Sequence, residues 1–133
     1  ISYLTIENKG KIPDALKPMI GNWAFGCDVC QMVCPHNAWT PNQIYQLGEL
    51  QLQEHLDLLD LFSLSEKEFN ERFAGTPILR TKRKGMLRNA AVVLGNQRHK
   101  PALPLLRKAA KQETDEPIID ACNWAIQTIE TKA

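Results

Sequence analysis

The 133-residue sequence predicts a mainly α fold in three parts: a compact cysteine-bearing segment over residues 1–40, a helical connector over 41–75 and a pair of HEAT-like helical repeats over 76–133. Three observations carry this. Three of the four cysteines fall within eight positions, Cys27 to Cys34. A capping signal at Ser65-Glu66-Lys67-Glu68 opens the helical half. Residues 88–94 and 120–126 then align at an offset of 32, with small and large residues recurring in register. That is the pattern of stacked helical repeats of the HEAT type in a shorter-period form.

Each element has a local reason. Ile1-Ser2-Tyr3-Leu4-Thr5-Ile6 alternates apolar and polar residues and reads as a short strand or helix edge, followed by a turn at Lys9-Gly10-Lys11. Pro13 to Ile20 reads as a short helix with proline in its first turn, where a missing N–H costs nothing. Gly21 and Gly26 mark turns before the cysteines. Residues 41–64 are rich in leucine (Leu47, Leu50, Leu52, Leu56, Leu58, Leu59, Leu61, Leu64) with mixed spacing, which suggests short helical turns. The helix opened by Ser65 buries Phe69 and Phe73 and ends near Gly75. Met86 to Leu94 predicts an amphipathic helix stopped by Gly95-Asn96. Pro101 or Pro104 opens the next, and Asp115-Glu116-Pro117 opens the last, which carries Ile118, Ile119, Cys122, Ala125, Ile126 and Ile129. Cys122 and Trp124 read as core residues of that helix.

No apolar run approaches the ~20 residues that span a bilayer, and no secretory pattern opens the chain. A cytoplasmic protein is expected. The chain begins with Ile1 in an apolar stretch, so a piece of a longer protein is expected as well.

The spacing Cys27-x2-Cys30-x3-Cys34-Pro35 places soft thiolate donors close together, as iron–sulfur chemistry requires. In ferredoxin-type runs the cysteine before proline ligates a second cluster. A disulfide framework does not suit such tight spacing. A zinc site lacks a well-spaced second ligand pair, His36 being adjacent and His55 distant. Three cysteines complete neither one four-thiolate cluster nor two. Trp23 and Trp39 flank the run and suit a role in shielding it from water.

Net charge is +1, but the distribution is uneven. Residues 80–112 hold ten bases and no acid, between two acidic flanks. Arg80, Lys82, Arg83, Lys84 and Arg88 lie before and within the first repeat helix, and Arg98 and Lys100 lie in the loop after it. Such a block suits phosphate, which gives affinity without sequence choice.

Three stretches resemble the epoxyqueuosine reductase family: Ile1 to Glu7, Gly26 to Asn37, and Leu87-Arg88-Asn89-Ala90-Ala91-Val92-Val93-Leu94-Gly95-Asn96. Order and spacing agree over essentially the whole chain, which resembles the C-terminal third of those proteins. His36 departs from the tryptophan usual there. The resemblance implies the C-terminal part of a two-cluster ferredoxin-like module followed by HEAT-like repeats that contact tRNA. It implies an enzyme that reduces epoxyqueuosine to queuosine in tRNA with cobalamin and two [4Fe–4S] clusters, fed by a donor such as a flavodoxin or ferredoxin. Cys27 and Cys30 would serve one cluster with two upstream cysteines, and Cys34 the other with three. The cobalamin domain and the catalytic acid would lie upstream, so no residue here is assigned a catalytic role and no turnover is expected of this chain alone. A second reading is an interaction module whose cysteines hold zinc or nothing and whose repeats bind an acidic protein.

Overall fold

The computed structural model describes residues 1–38 and 56–131. The described residues are helical and irregular, with no strand among them. Trp39, His55 and the leucines from 47 to 52 lie outside them. The chain divides into two compact units, Ile1–Gly26 with Asp57–Ala133, and Cys27–Leu56.

The first unit is organised around one helix. Among the described residues the elements are α1 (Lys17–Ile20), α2 (Val29–Met32), α3 (Pro35–Ala38), α4 (Leu58–Leu61), α5 (Glu66–Arg72), α6 (Lys82–Asn96), α7 (Leu103–Gln112) and α8 (Glu116–Glu130), with a π-helical turn at Tyr3–Glu7 and 3-10 turns at Pro77–Arg80 and Lys100–Ala102. Helix α6 packs most extensively on α8 and also meets α1, α4, α5 and the Tyr3–Glu7 turn, while α7 packs on α8. Every residue from Gly85 to Gly95 is buried. The sequence predicted an amphipathic helix here. The structure makes it a central helix, because the N-terminal segment and α4, α5 and α8 all pack on it.

The opening Ile1–Ile6 stretch is a helical turn and not a strand. Thr5 donates its N–H and its hydroxyl to the Ile1 carbonyl at 3.0 and 3.1 Å, which closes the turn. The helix expected from Pro13 shortens to α1, with Pro18 in its first turn, and Pro13 only closes a turn through its carbonyl. Gly95 lies within α6, which ends at Asn96. A Cβ at position 95 would stand 2.7 Å from the Trp124 ring and 3.0 Å from Ala125, so glycine is what lets α6 and α8 approach closely.

The capping box is present as read: Ser65 Oγ accepts from the Glu68 N–H, and the Glu68 carboxylate accepts from the Ser65 N–H at 2.8 Å. Phe69 and Phe73 are buried with ring centroids 4.7 Å apart. Helices α7 and α8 each carry a proline in the first turn, as expected.

Residues 1–26 belong with the helical unit. Polar groups of α6 hold them there. Asn89 Nδ2 donates to the Thr5 and Ala24 carbonyls at 2.7 and 2.8 Å, and Asn96 Nδ2 to the Lys17 and Gly21 carbonyls at 2.9 and 3.0 Å.

Candidate functional site

The cysteine segment follows Gly26, whose φ of 68° is left-handed and favours glycine. The Gly26 N–H donates to Thr5 Oγ1 at 3.0 Å, so the backbone is pinned immediately before Cys27. Cys30 lies in the single turn α2, and Cys34 joins α2 to α3. Asn37 closes this loop: its N–H donates to the Cys34 carbonyl at 3.0 Å and its Nδ2 to the Gln31 carbonyl at 2.7 Å. Pro35 begins α3, where it needs no N–H partner.

Cys27, Cys30 and Cys34 are free thiols; Cys30 is exposed and the other two half-buried. The neighbouring Val29, Met32 and Val33 are exposed apolar side chains. Among the described residues, no group of three or more His, Cys, Asp or Glu converges as a metal site. The donor set therefore fits iron–sulfur chemistry in kind, as unpaired thiols on a tight loop beside apolar side chains. It does not fit a whole four-thiolate cluster in number.

The basic residues separate into two groups. Arg80, Lys82, Lys84, Arg98 and Lys100 are exposed. Arg80 pairs with Glu7 at 2.6 Å, Lys84 with Asp115 at 2.9 Å, and Arg98 donates to the Thr131 carbonyl at 3.2 Å. Lys82 makes no ion pair among the described residues, and its φ of 62° is left-handed.

Arg83 and Arg88, expected to face phosphate, are turned inward. Arg83 donates to the Leu64 carbonyl at 2.6 Å and forks onto Glu113 at 2.8 and 3.4 Å. Arg88 is 1% exposed. Its five N–H groups reach the Leu4, Asn8 and Gly10 carbonyls and, twice, Asn89 Oδ1. Burial lowers its pKa to about 10, still far above neutrality, so the charge is kept. Arg88 is corrected from a phosphate contact to an internal clamp, and Arg83 to a partner of Glu113.

Two lysines ahead of the basic block are also held by the fold. Lys9 Nζ donates to the Ile6 and Arg80 carbonyls, each at 2.9 Å. Lys17 is buried, paired with Asp14 at 2.7 Å and Asp120 at 2.6 Å, with Nζ 5.6 Å from the Trp124 ring centre. Trp124 is half-buried against Gly95. Cys122 is fully buried, and desolvation pushes its thiol up to about 12.

Comparison with known proteins decides the family. Residues 1–37 match a family model described as a 4Fe-4S double cluster binding domain. The epoxyqueuosine reductase of Pseudomonas aeruginosa is 42% identical over 132 residues, covering 96% of this chain and 36% of that protein. That of Salmonella typhimurium is 41% identical, covering 99% of this chain and 35% of that protein. The chain belongs to the epoxyqueuosine reductase family. A crystal structure of epoxyqueuosine reductase with an epoxyqueuosine-modified tRNA-Tyr stem loop superposes with a TM-score of 0.80 at 30% identity, covering 98% of this chain and 35% of that one. The chain thus spans about a third of the length of the epoxyqueuosine reductases it matches.

Proposed function

We propose that this chain is the part of an epoxyqueuosine reductase that supplies ligands to two [4Fe–4S] clusters and a basic surface to tRNA. The observation that carries it is the Cys27-x2-Cys30-x3-Cys34-Pro35 run inside a stretch that matches a double-cluster domain. Cys27 and Cys30 hold one cluster and Cys34 the other, with the remaining thiolates coming from residues outside this sequence. When bound, the clusters supply single electrons. The chain's own part is to hold them through deprotonated thiols and to fix the ligand loop through Gly26 and Asn37.

The whole enzyme reduces epoxyqueuosine to queuosine in tRNA, uses cobalamin bound mainly outside this chain, takes electrons from a flavodoxin or ferredoxin, and works in the cytoplasm. No described helix is long and apolar enough to cross a membrane. Helices α6 to α8 act as the HEAT-like repeat portion. The exposed Arg80, Lys82, Lys84, Arg98 and Lys100 meet tRNA phosphates, consistent with the stem loop bound by the related enzyme.

The test is anaerobic reconstitution of a length of the enzyme that includes this chain, followed by metal analysis and spectroscopy. Cys34→Ser is expected to remove the signal of one cluster, and Cys27→Ser with Cys30→Ser that of the other. A colourless protein with stoichiometric zinc would sink the cluster reading and favour a zinc-held interaction module.

A further inference from the structure

Asn89 is a polar side chain in the buried run of α6, 0% exposed. An amide in such a place is costly unless its hydrogen bonds are met. All four are met. Nδ2 donates to the Thr5 carbonyl at 2.7 Å and to the Ala24 carbonyl at 2.8 Å. Oδ1 accepts from Arg88 Nε at 3.1 Å and from Arg88 Nη2 at 2.9 Å. Arg88 therefore fixes which way the amide faces, since the reversed amide would set its NH2 against the guanidinium.

Both carbonyls lead to the same place in the chain. Ala24 stands just ahead of Gly26, the residue that precedes Cys27. Thr5 is fully buried, and its Oγ1 accepts the Gly26 N–H at 3.0 Å. One side chain of α6 thus holds the approach to Cys27 twice, directly at Ala24 and through Thr5 at Gly26. The left-handed φ of 68° at Gly26 sets the direction in which the chain enters the cysteine loop. Asn96, later on the same helix, uses the same chemistry on the Lys17 and Gly21 carbonyls, which stand farther back from the cysteines.

We propose that Asn89 is a positioning residue for the iron–sulfur cluster that Cys27 helps to hold, acting through Ala24 and Thr5 on the backbone at Gly26. The role rests on the cluster reading above. A ligand whose backbone is fixed in advance has little conformational freedom left to lose on binding. Freed, Cys27 has more to lose, and the cluster is held less tightly. The effect falls on one cluster, because the Cys34 backbone has its own tie to Asn37.

The experiment uses the whole reductase that contains this chain, loaded anaerobically, and follows iron loss to a chelator by visible absorbance. Asn89→Asp keeps the shape and the acceptor for Arg88, which answers its charge, and removes both donors. Thr5→Val keeps the shape and removes the acceptor of the Gly26 N–H. Thr5→Ser keeps that acceptor and serves as the rescue. Asn96→Asp is the control for an anchor lost without a link to Gly26. Amide exchange at Gly26 is followed in the 133-residue chain without iron.

In Asn89→Asp and Thr5→Val, half of the bound iron is expected to leave about tenfold faster and the other half at the parent's rate. Gly26 exchange should rise in the same two variants. Thr5→Ser and Asn96→Asp should match the parent in both measurements. Iron lost equally fast from Asn96→Asp, or from both clusters together, would make Asn89 a stability residue only and overturn the proposal. If Asn89→Asp and Thr5→Val hold iron as the parent does, the positioning role is overturned while the cluster reading survives. A parent that takes up zinc and no iron overturns the cluster reading, and the role of Asn89 with it.

Discussion

Arg88 makes five hydrogen bonds to four acceptors inside the protein, and none of those acceptors carries a full charge. Removing its side chain leaves the Leu4, Asn8 and Gly10 carbonyls and Asn89 Oδ1 short of donors in a dry site. Arg88→Ala is expected to destabilise by about 3 kcal/mol, read from the urea midpoint. Lysine should restore little, because one ammonium cannot reach a fork-shaped set of acceptors. From sequence, Arg88 is indistinguishable from its basic neighbours, since burial belongs to the tertiary fold. Cys122 was legible: it sits among apolar residues at helical spacing, and it is buried. Its thiol is held neutral, its pKa raised to about 12. Native protein should alkylate at Cys27, Cys30 and Cys34 and spare Cys122 until denaturant is added; equal labelling of all four would contradict this. The same shift sets a pH dependence. The unfolded thiol ionises near its ordinary value of 9.0 and the folded one does not, so this contribution is intact below about pH 9 and is lost as pH rises towards 12.

At the scale of elements, the α6–α8 packing depends on absent atoms. Gly95→Ala inserts a methyl 2.7 Å from the Trp124 ring and 3.0 Å from Ala125, and backbone is part of what it meets. It is expected to cost about 1–3 kcal/mol and to lower the thermal midpoint, although alanine is the better helix former. A rise would show that α8 can shift without loss. The sequence offered Gly95-Asn96 as a stop signal, and α6 does end at Asn96, which also anchors α1. A glycine near a helix end has two physical meanings, termination or close approach, and only the neighbouring helix chooses between them. The capping box at Ser65 was fully legible, because both partners lie within one turn. Hydrogen bonds from Ser65 hold the Glu68 carboxyl below its ordinary 4.5. That contribution to α5 is present above about pH 4.5 and is lost as the carboxylate protonates below it. Ser65→Ala should reduce this acid dependence of α5, leaving the part owed to the backbone N–H at position 65, as followed by amide exchange in Glu66 to Arg72.

At the scale of the molecule, the chain carries three candidate ligands where two four-iron clusters take eight thiolates. Reconstituted alone and anaerobically, it should hold well under eight irons per chain and should not turn over. Eight irons bound stably by single copies would overturn the proposed sharing of ligands. The cysteine motif, the acid–base segregation, the capping box and the proline-led starts of α7 and α8 were all determined by the sequence itself. Each is a local feature, expressed in spacing, composition or one turn of backbone. The tertiary structure decided the rest. It drew Arg83 and Arg88 inside, left Lys82 exposed and strained, and joined residues 1–26 to the helical unit. These outcomes depend on which surfaces meet across 65 to 84 positions of chain, as in the Asn89–Ala24 and Asn89–Thr5 hydrogen bonds, and no local pattern encodes such distant partners.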